Sequence, residues 1–235
     1  LYTVERTDIA TDGSLTLRTQ AEVDAFARSG INTVEGNLTI GGEDEENPVT
    51  NLDGLKNLVS VRCDLTITAA YTGETLAGLE NLTACESLRI GSAAHPNETL
   101  RQLSLPALKE IKGDLCVYGT ALQTADFKSL QSVAGHFVLQ SDALLQLTAD
   151  ELTTVAGNMT LIGTTADEAK APCEQMYFPK LQRIDGTLTL SRFDRLSGLG
   201  TTFGVLTQAG ALRYEHLALA NTFEFPLIET TGNIT

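Results

Sequence analysis

The sequence is poor in the residues that mark several common kinds of chemistry. It has no tryptophan, three histidines, two methionines and only four cysteines in 235 residues. The cysteines, Cys63, Cys85, Cys116 and Cys173, form no C-x-x-C pair, so zinc and thioredoxin-like chemistry lack their usual spacing. Four are also too few for a disulfide scaffold at this length. Cationic side chains are scarce: 16 Lys and Arg against 30 Asp and Glu give a formal charge of −14. That balance argues against nucleic acid and anionic membrane surfaces, which reward clustered Lys and Arg. No apolar run approaches the roughly 18 residues of a membrane span, so no membrane insertion by this domain is expected. No G-x-S-x-G, H-E-x-x-H or Walker-type run occurs, and no catalytic residue, metal or cofactor is expected.

What is present is a repeat. Hydrophobic residues make up 42% and charged residues 20%, a balance that folds. One short pattern returns along the chain: "GSLTL" (13–17), "GNLTI" (36–40), "CDLTI" (63–67), "ESLRI" (86–90), "GDLCV" (113–117), "GHFVL" (135–139), "GNMTL" (157–161), "GTLTL" (186–190) and "EHLAL" (215–219). Two columns, two residues apart, are apolar in every copy. The first runs from Leu15 and Leu38 through to Leu188 and Leu217, the second from Leu17 and Ile40 to Leu190 and Leu219. The column between them is mostly Thr or another small or polar residue. Side chains alternate along a strand, so one face lies in a core and the other outside.

A second constant piece precedes each strand, with apolar residues three apart: "LKNLVSV" (55–61), "LPALKEI" (105–111), "FKSLQSV" (127–133), "ADELTTV" (149–155) and "FPKLQRI" (178–184). That spacing suits a tight turning connection whose inward side chains join the same core. One strand per 22 to 29 residues is the period of a solenoid, whose stacked coils share a continuous core. The expected fold is mainly β, a parallel β-solenoid of about nine coils in one domain over residues 1–235. "TQAEVDAFARSG" (19–30) interrupts the pattern. Thr19 and Glu22 form a capping box, Val23 and Phe26 share a face, and Gly30 ends the segment, so an N-terminal capping helix is expected. The sequence stops at "GNIT" (232–235), part-way into another copy, which implies that the native chain continues past Thr235.

"LPALKEIKGDLCV" (105–117), "FPKLQRIDGTLTL" (178–190) and "LTLRTQAEVDAF" followed by "INTVEGNLTI" together resemble the receptor L domain, most of all its surface proteins from Bacteroidetes bacteria, with fungal wall-anchored relatives second. The resemblance covers nearly the whole chain. It implies a right-handed solenoid, exported to the extracellular space or the cell surface, that binds ligands and performs no chemistry. The asparagine ladder position of ordinary leucine-rich repeats is absent.

Candidate sites are few. The outward strand face is the best binding candidate, because Arg89, Tyr118, Val138 and Gln140 break the Thr row on successive coils. Cys63 and Cys85 fall in adjacent coils at neighbouring phases, where a disulfide is a candidate. Cys116 reaches Cys173 only if the 163–175 loop folds back. Asp64 and Asp114 lie about two rungs apart, roughly 10 Å, the one conceivable glycosidase-like pair. The acidic loop Glu43, Asp44, Glu45 and Glu46 lacks the D-x-D-x-D-G spacing of a calcium loop. His95 lies in a variable loop, His136 and His216 sit three coils apart, too far to share a metal, and all three are read as surface groups. Tyr71 and Tyr177 sit in loops that could supply a sugar platform. Asn-x-Thr occurs at Asn37, Asn81, Asn97, Asn158 and Asn233. At Asn37, Asn158 and Asn233 it is better explained by strand alternation than by glycosylation, with the preceding Gly easing the bend. The expected function is non-catalytic ligand recognition or adhesion, with an extracellular protein ahead of a glycan as partner. A carbohydrate-active solenoid enzyme and a structural spacer are the alternatives.

Overall fold

The alternation of the repeat becomes a ladder of short parallel strands. The computed structural model describes residues 9–42, 46–164, 171–196, 202–215 and 217, and the backbone of 229–230. Nine strands stack in chain order: Leu15–Leu17, Leu38–Ile40, Leu65–Ile67, Leu88–Ile90, Leu115–Tyr118, Phe137–Gln140, Met159–Ile162, Arg183–Ser191 and Gln208–Glu215. They bound eight turns of a parallel β-solenoid among the described residues. The register is the one that alternation dictates. Leu15, Leu38, Leu65, Leu88, Leu115, Phe137, Met159 and Leu188 pair in succession, and all but the half-buried Leu15 are 0% exposed.

Two further ladders run along the other sides of the coil, the third of them over four turns. The second consists of Thr33–Val34, Ser60–Val61, Ala84–Cys85, Glu110–Ile111, Ser132–Val133 and Thr154–Val155. It merges with the first at Arg183–Ser191, a strand long enough to round the corner and pair on both sides. The third is shorter: Gln102–Ser104, Thr124–Asp126, Gln146–Thr148 and Gln175–Tyr177. Between the third and second ladders run the connectors with apolar residues three apart. Leu55, Leu58 and Val61, or Phe127, Leu130 and Val133, all point into the core at 0–1% exposure. The N–H of Leu58 donates to the carbonyl of Leu55 at 2.8 Å, and that of Leu130 to Phe127 at 2.9 Å. Each is the tight three-residue turn that the spacing predicts.

Where a glycine precedes the strand, its role differs from the expected bend. Described glycines with positive φ are Gly30, Gly41, Gly78 and Gly91, none of them in the G-x-L-x-L position. Gly135 and Gly157 instead permit close approach of successive turns. A Cβ on either would stand 2.6 Å from the carbonyl oxygen of the glycine one turn earlier, Gly113 or Gly135. Their N–H groups donate to those same carbonyls at 2.8 and 2.9 Å.

The N-terminal helix is Gln20–Ser29. Its capping box is complete, with Thr19 Oγ1 accepting from the Glu22 N–H, and Gly30 ends it at φ 72°. The helix replaces the third side of the first turn and packs against Asp53–Leu55 of the next. Val23 and Phe26 seal the core there.

One expected copy is displaced. The ninth strand is not "EHLAL" but lies in "AGALRYE" (209–215), where Leu212 pairs with Leu188 and Tyr214 with Leu190. Gly210-Ala211-Leu212-Arg213-Tyr214 satisfies the G-x-L-x-apolar pattern, with an aromatic residue in the second column. Leu217 only packs at the margin of the core. His216, Leu219, "GNIT" and Glu43–Glu45 lie outside the described residues.

Candidate functional site

Parallel register turns the outward positions of the first ladder into rows. Thr66, Arg89, Cys116, Val138 and Thr160 are consecutive members of one row. Tyr118, Gln140 and Ile162 form the neighbouring row. The structure therefore brings Arg89, Tyr118, Val138 and Gln140 into one strip and adds Cys116 and Ile162, which the sequence reading did not include. All six are half-buried. Rungs about 4.8 Å apart place side chains of neighbouring turns in contact range, and the strip mixes apolar, aromatic and cationic groups. Burial raises the Tyr118 hydroxyl and the Cys116 thiol above their ordinary pKa values. Neither is set up as a nucleophile.

Arg89 is held from both sides. Its Nη1 stands 3.1 Å from Asp64 Oδ2 and its Nη2 3.4 Å from Asp114 Oδ2. Side-chain exposures of 38, 37 and 33% make the pairs individually weak, but together they fix the guanidinium. The guanidinium is bonded to one oxygen of each acid and lies between the two carboxylates.

Beside this strip runs a feature absent from the sequence reading. In the first eight strands of the ladder the position before the first inward column carries Ser14, Asn37, Asp64, Ser87, Asp114, His136, Asn158 and Thr187. Six of these side chains accept a backbone N–H from the next turn, whereas Asp64 accepts from Arg89. Ser14 Oγ accepts from Asn37 at 2.9 Å, Asn37 Oδ1 from Asp64 at 3.1 Å, and Ser87 Oγ from Asp114 at 3.3 Å. The row continues with Asp114 Oδ1 accepting from His136, His136 Nδ1 from Asn158 and Asn158 Oδ1 from Thr187, each at 2.9 Å. The requirement is an acceptor atom at a fixed reach, which Ser, Asn, Asp and His all supply. That chemical tolerance hid the row. His136 is thus a ladder member. His95 lies in an exposed loop, and among the described residues no cluster of metal-ligating side chains occurs.

The cysteines do not pair. Cys63 and Cys85 are both free. Ala84 pairs with Ser60, which sets Cys85 level with Val61 in the buried column and leaves Cys63 two residues on, at the exposed corner. Cys116 and Cys173 are free as well. Burial pushes the thiols of Cys85 and Cys173 up, to about 12 and about 11. A thiol reagent is expected to modify Cys63 rapidly in the folded chain, and Cys85 and Cys173 only on unfolding, read by mass spectrometry of quenched samples. Tyr71 is likewise no sugar platform: it is 0% exposed and its Oη donates to the Thr75 carbonyl at 2.5 Å. Tyr177, at 43% exposure, does reach solvent, on the third ladder.

Comparison of the chain with protein-family models, with curated proteins and with solved structures returned no match.

Proposed function

We propose that this chain is a non-catalytic recognition or adhesion module of the receptor L-domain kind, working outside the cell or at its surface on a protein ligand. The observation that carries this reading is the outward strip of the first ladder. There Arg89, Cys116, Tyr118, Val138, Gln140 and Ile162 stand in register on a rigid sheet. Aromatic and Arg side chains beside apolar ones are the composition of binding hot spots, and a preformed sheet orders few groups on binding. Arg89 leaves most of its N–H donors for a ligand while two carboxylates hold it in place. The motif resemblance supports the cell-surface setting.

The test is an array of secreted and surface-exposed proteins probed with the wild-type chain and with a Tyr118→Ala/Val138→Glu variant. At least one partner is expected to bind the wild type and to lose tenfold or more in affinity for the variant. An array on which the two chains behave alike would sink the proposal. So would glycan hydrolysis that disappears in Asp64→Asn or Asp114→Asn.

A further inference from the structure

The third ladder carries a second recognition surface of different chemistry. Its strands Thr124–Asp126 and Gln146–Thr148 floor a cleft of about 310 Å³ lined by Thr124, Asp126, Lys128, Gln146, Thr148 and Asp150. The volume lies at the low end of small-ligand sites, roughly 300–1,000 Å³. We propose that this cleft binds a neutral or amino-sugar oligosaccharide.

The argument begins with hydrogen-bonding capacity. A sugar hydroxyl both donates and accepts, so its site needs both functions close together. Here an amide, two hydroxyls, two carboxylates and an ammonium line one cleft. Much of that capacity is not consumed internally. Gln146 Nε2 donates to Thr148 Oγ1 at 3.2 Å, and Asp126 Oδ1 accepts the Lys128 N–H at 3.0 Å. Among the described residues, Asp126, Lys128 and Asp150 form no ion pair, whereas nearby Lys180 pairs with Glu151 and Arg101 with Glu74. Unpaired charges of both signs facing one cleft suit a polyhydroxylated ligand better than a flat protein surface.

Register supplies the second half. Gln102, Thr124, Gln146 and Gln175 form one outward row, and Ser104, Asp126, Thr148 and Tyr177 the next. Polar groups therefore recur at the strand spacing, which matches an elongated chain of similar units. The row ends on Tyr177, 43% exposed and directly after Thr148. Its ring offers an apolar face to the C–H side of a pyranose. Charge sets the class of sugar: two carboxylates against one ammonium in the lining, within a chain of −14, repel uronic acids and sulfated glycans.

The test is titration of the whole chain with cellohexaose, chitohexaose and a chitosan hexamer, with hexagalacturonate as the anionic control. At least one of the first three is expected to bind. A Gln146→Ala/Tyr177→Ala variant should weaken that binding tenfold or more, while Tyr118→Ala on the first ladder leaves it unchanged. Hydroxyl-radical footprinting of the wild type should show protection confined to residues 102–177 of the third ladder, which decides the matter if a variant misfolds. The proposal is overturned if none of the three binds at millimolar concentration, if the variant binds as well as wild type, or if hexagalacturonate binds more tightly. Because the two surfaces are different ladders, loss of sugar binding leaves the protein-ligand reading standing, and the reverse.

Discussion

Phe137→Ala is expected to lower the stability of the chain by about 3–5 kcal/mol, the range for emptying a large buried aromatic site. Phe137 is 0% exposed on the first ladder. Its ring meets Phe127 edge-on at 6.0 Å and 82°, and Phe178 at 6.5 Å and 74°. Phe178 in turn stacks on Phe203 at 5.4 Å and 8°. Phe127 and Phe178 belong to the connectors, so Phe137 ties the first ladder to the opposite wall across successive turns. Neighbouring turns are the only source of cooperation in a solenoid, and a cavity here loosens both interfaces of one coil. Urea unfolding followed by circular dichroism should show the midpoint fall. Exposed Lys109→Ala, by contrast, should stay within about 0.5 kcal/mol of wild type. A Phe137→Ala midpoint equal to wild type would contradict the continuous core.

Asn97→Ala should cost about 2–4 kcal/mol, because it orphans backbone donors rather than emptying space. Asn97 is 0% exposed. Its Nδ2 donates to the carbonyl of Tyr71 at 2.8 Å, and its Oδ1 accepts the N–H groups of Leu100 at 2.8 Å and Thr99 at 3.1 Å. The amide thus fastens the loop entering the third ladder to the turn below. Asn97→Asp should be no milder, since it keeps the acceptor but sets a carboxylate against the Tyr71 carbonyl. Thr99→Val abolishes the Asn-Glu-Thr sequon while sparing the amide, and should cost distinctly less than Asn97→Ala in the same unfolding measurement. Equal costs for the two would place the importance in Thr99 instead.

The sequons show how far the sequence could be read. Alternation around Asn37 and Asn158 identified the strands and their register, because a two-residue period with apolar residues on one face admits one pairing. It did not reveal that those asparagines hold the turn above through Oδ1, since the same service comes from Ser14, Asp114 and His136 elsewhere. Asn97, with the same tripeptide, is a core amide whose partners lie 26 and 3 residues away, a relation no local pattern carries. Tyr71 was misplaced for the same reason, its burial being fixed by turns stacked on it. The ninth strand is ambiguous in sequence because "EHLAL" alternates as well as "ALRYE" does, and stacking on Leu188 and Leu190 selects the latter. The Asp64–Arg89–Asp114 bridge required knowing that three successive turns bring these residues side by side. The third-ladder cleft had no sequence signature, being assembled from Gln, Thr and Asp residues that are unremarkable singly.

The row from Ser14 to Thr187 has a direction. In each of its six bonds from backbone N–H to side chain the acceptor belongs to the earlier turn and the N–H to the later one. Synthesis delivers the chain in that same order, and early segments begin to fold first. At these six steps a newly made turn meets an acceptor supplied by the turn before it. The polarity of these bonds thus runs with the order of synthesis, each acceptor preceding its donor in the chain.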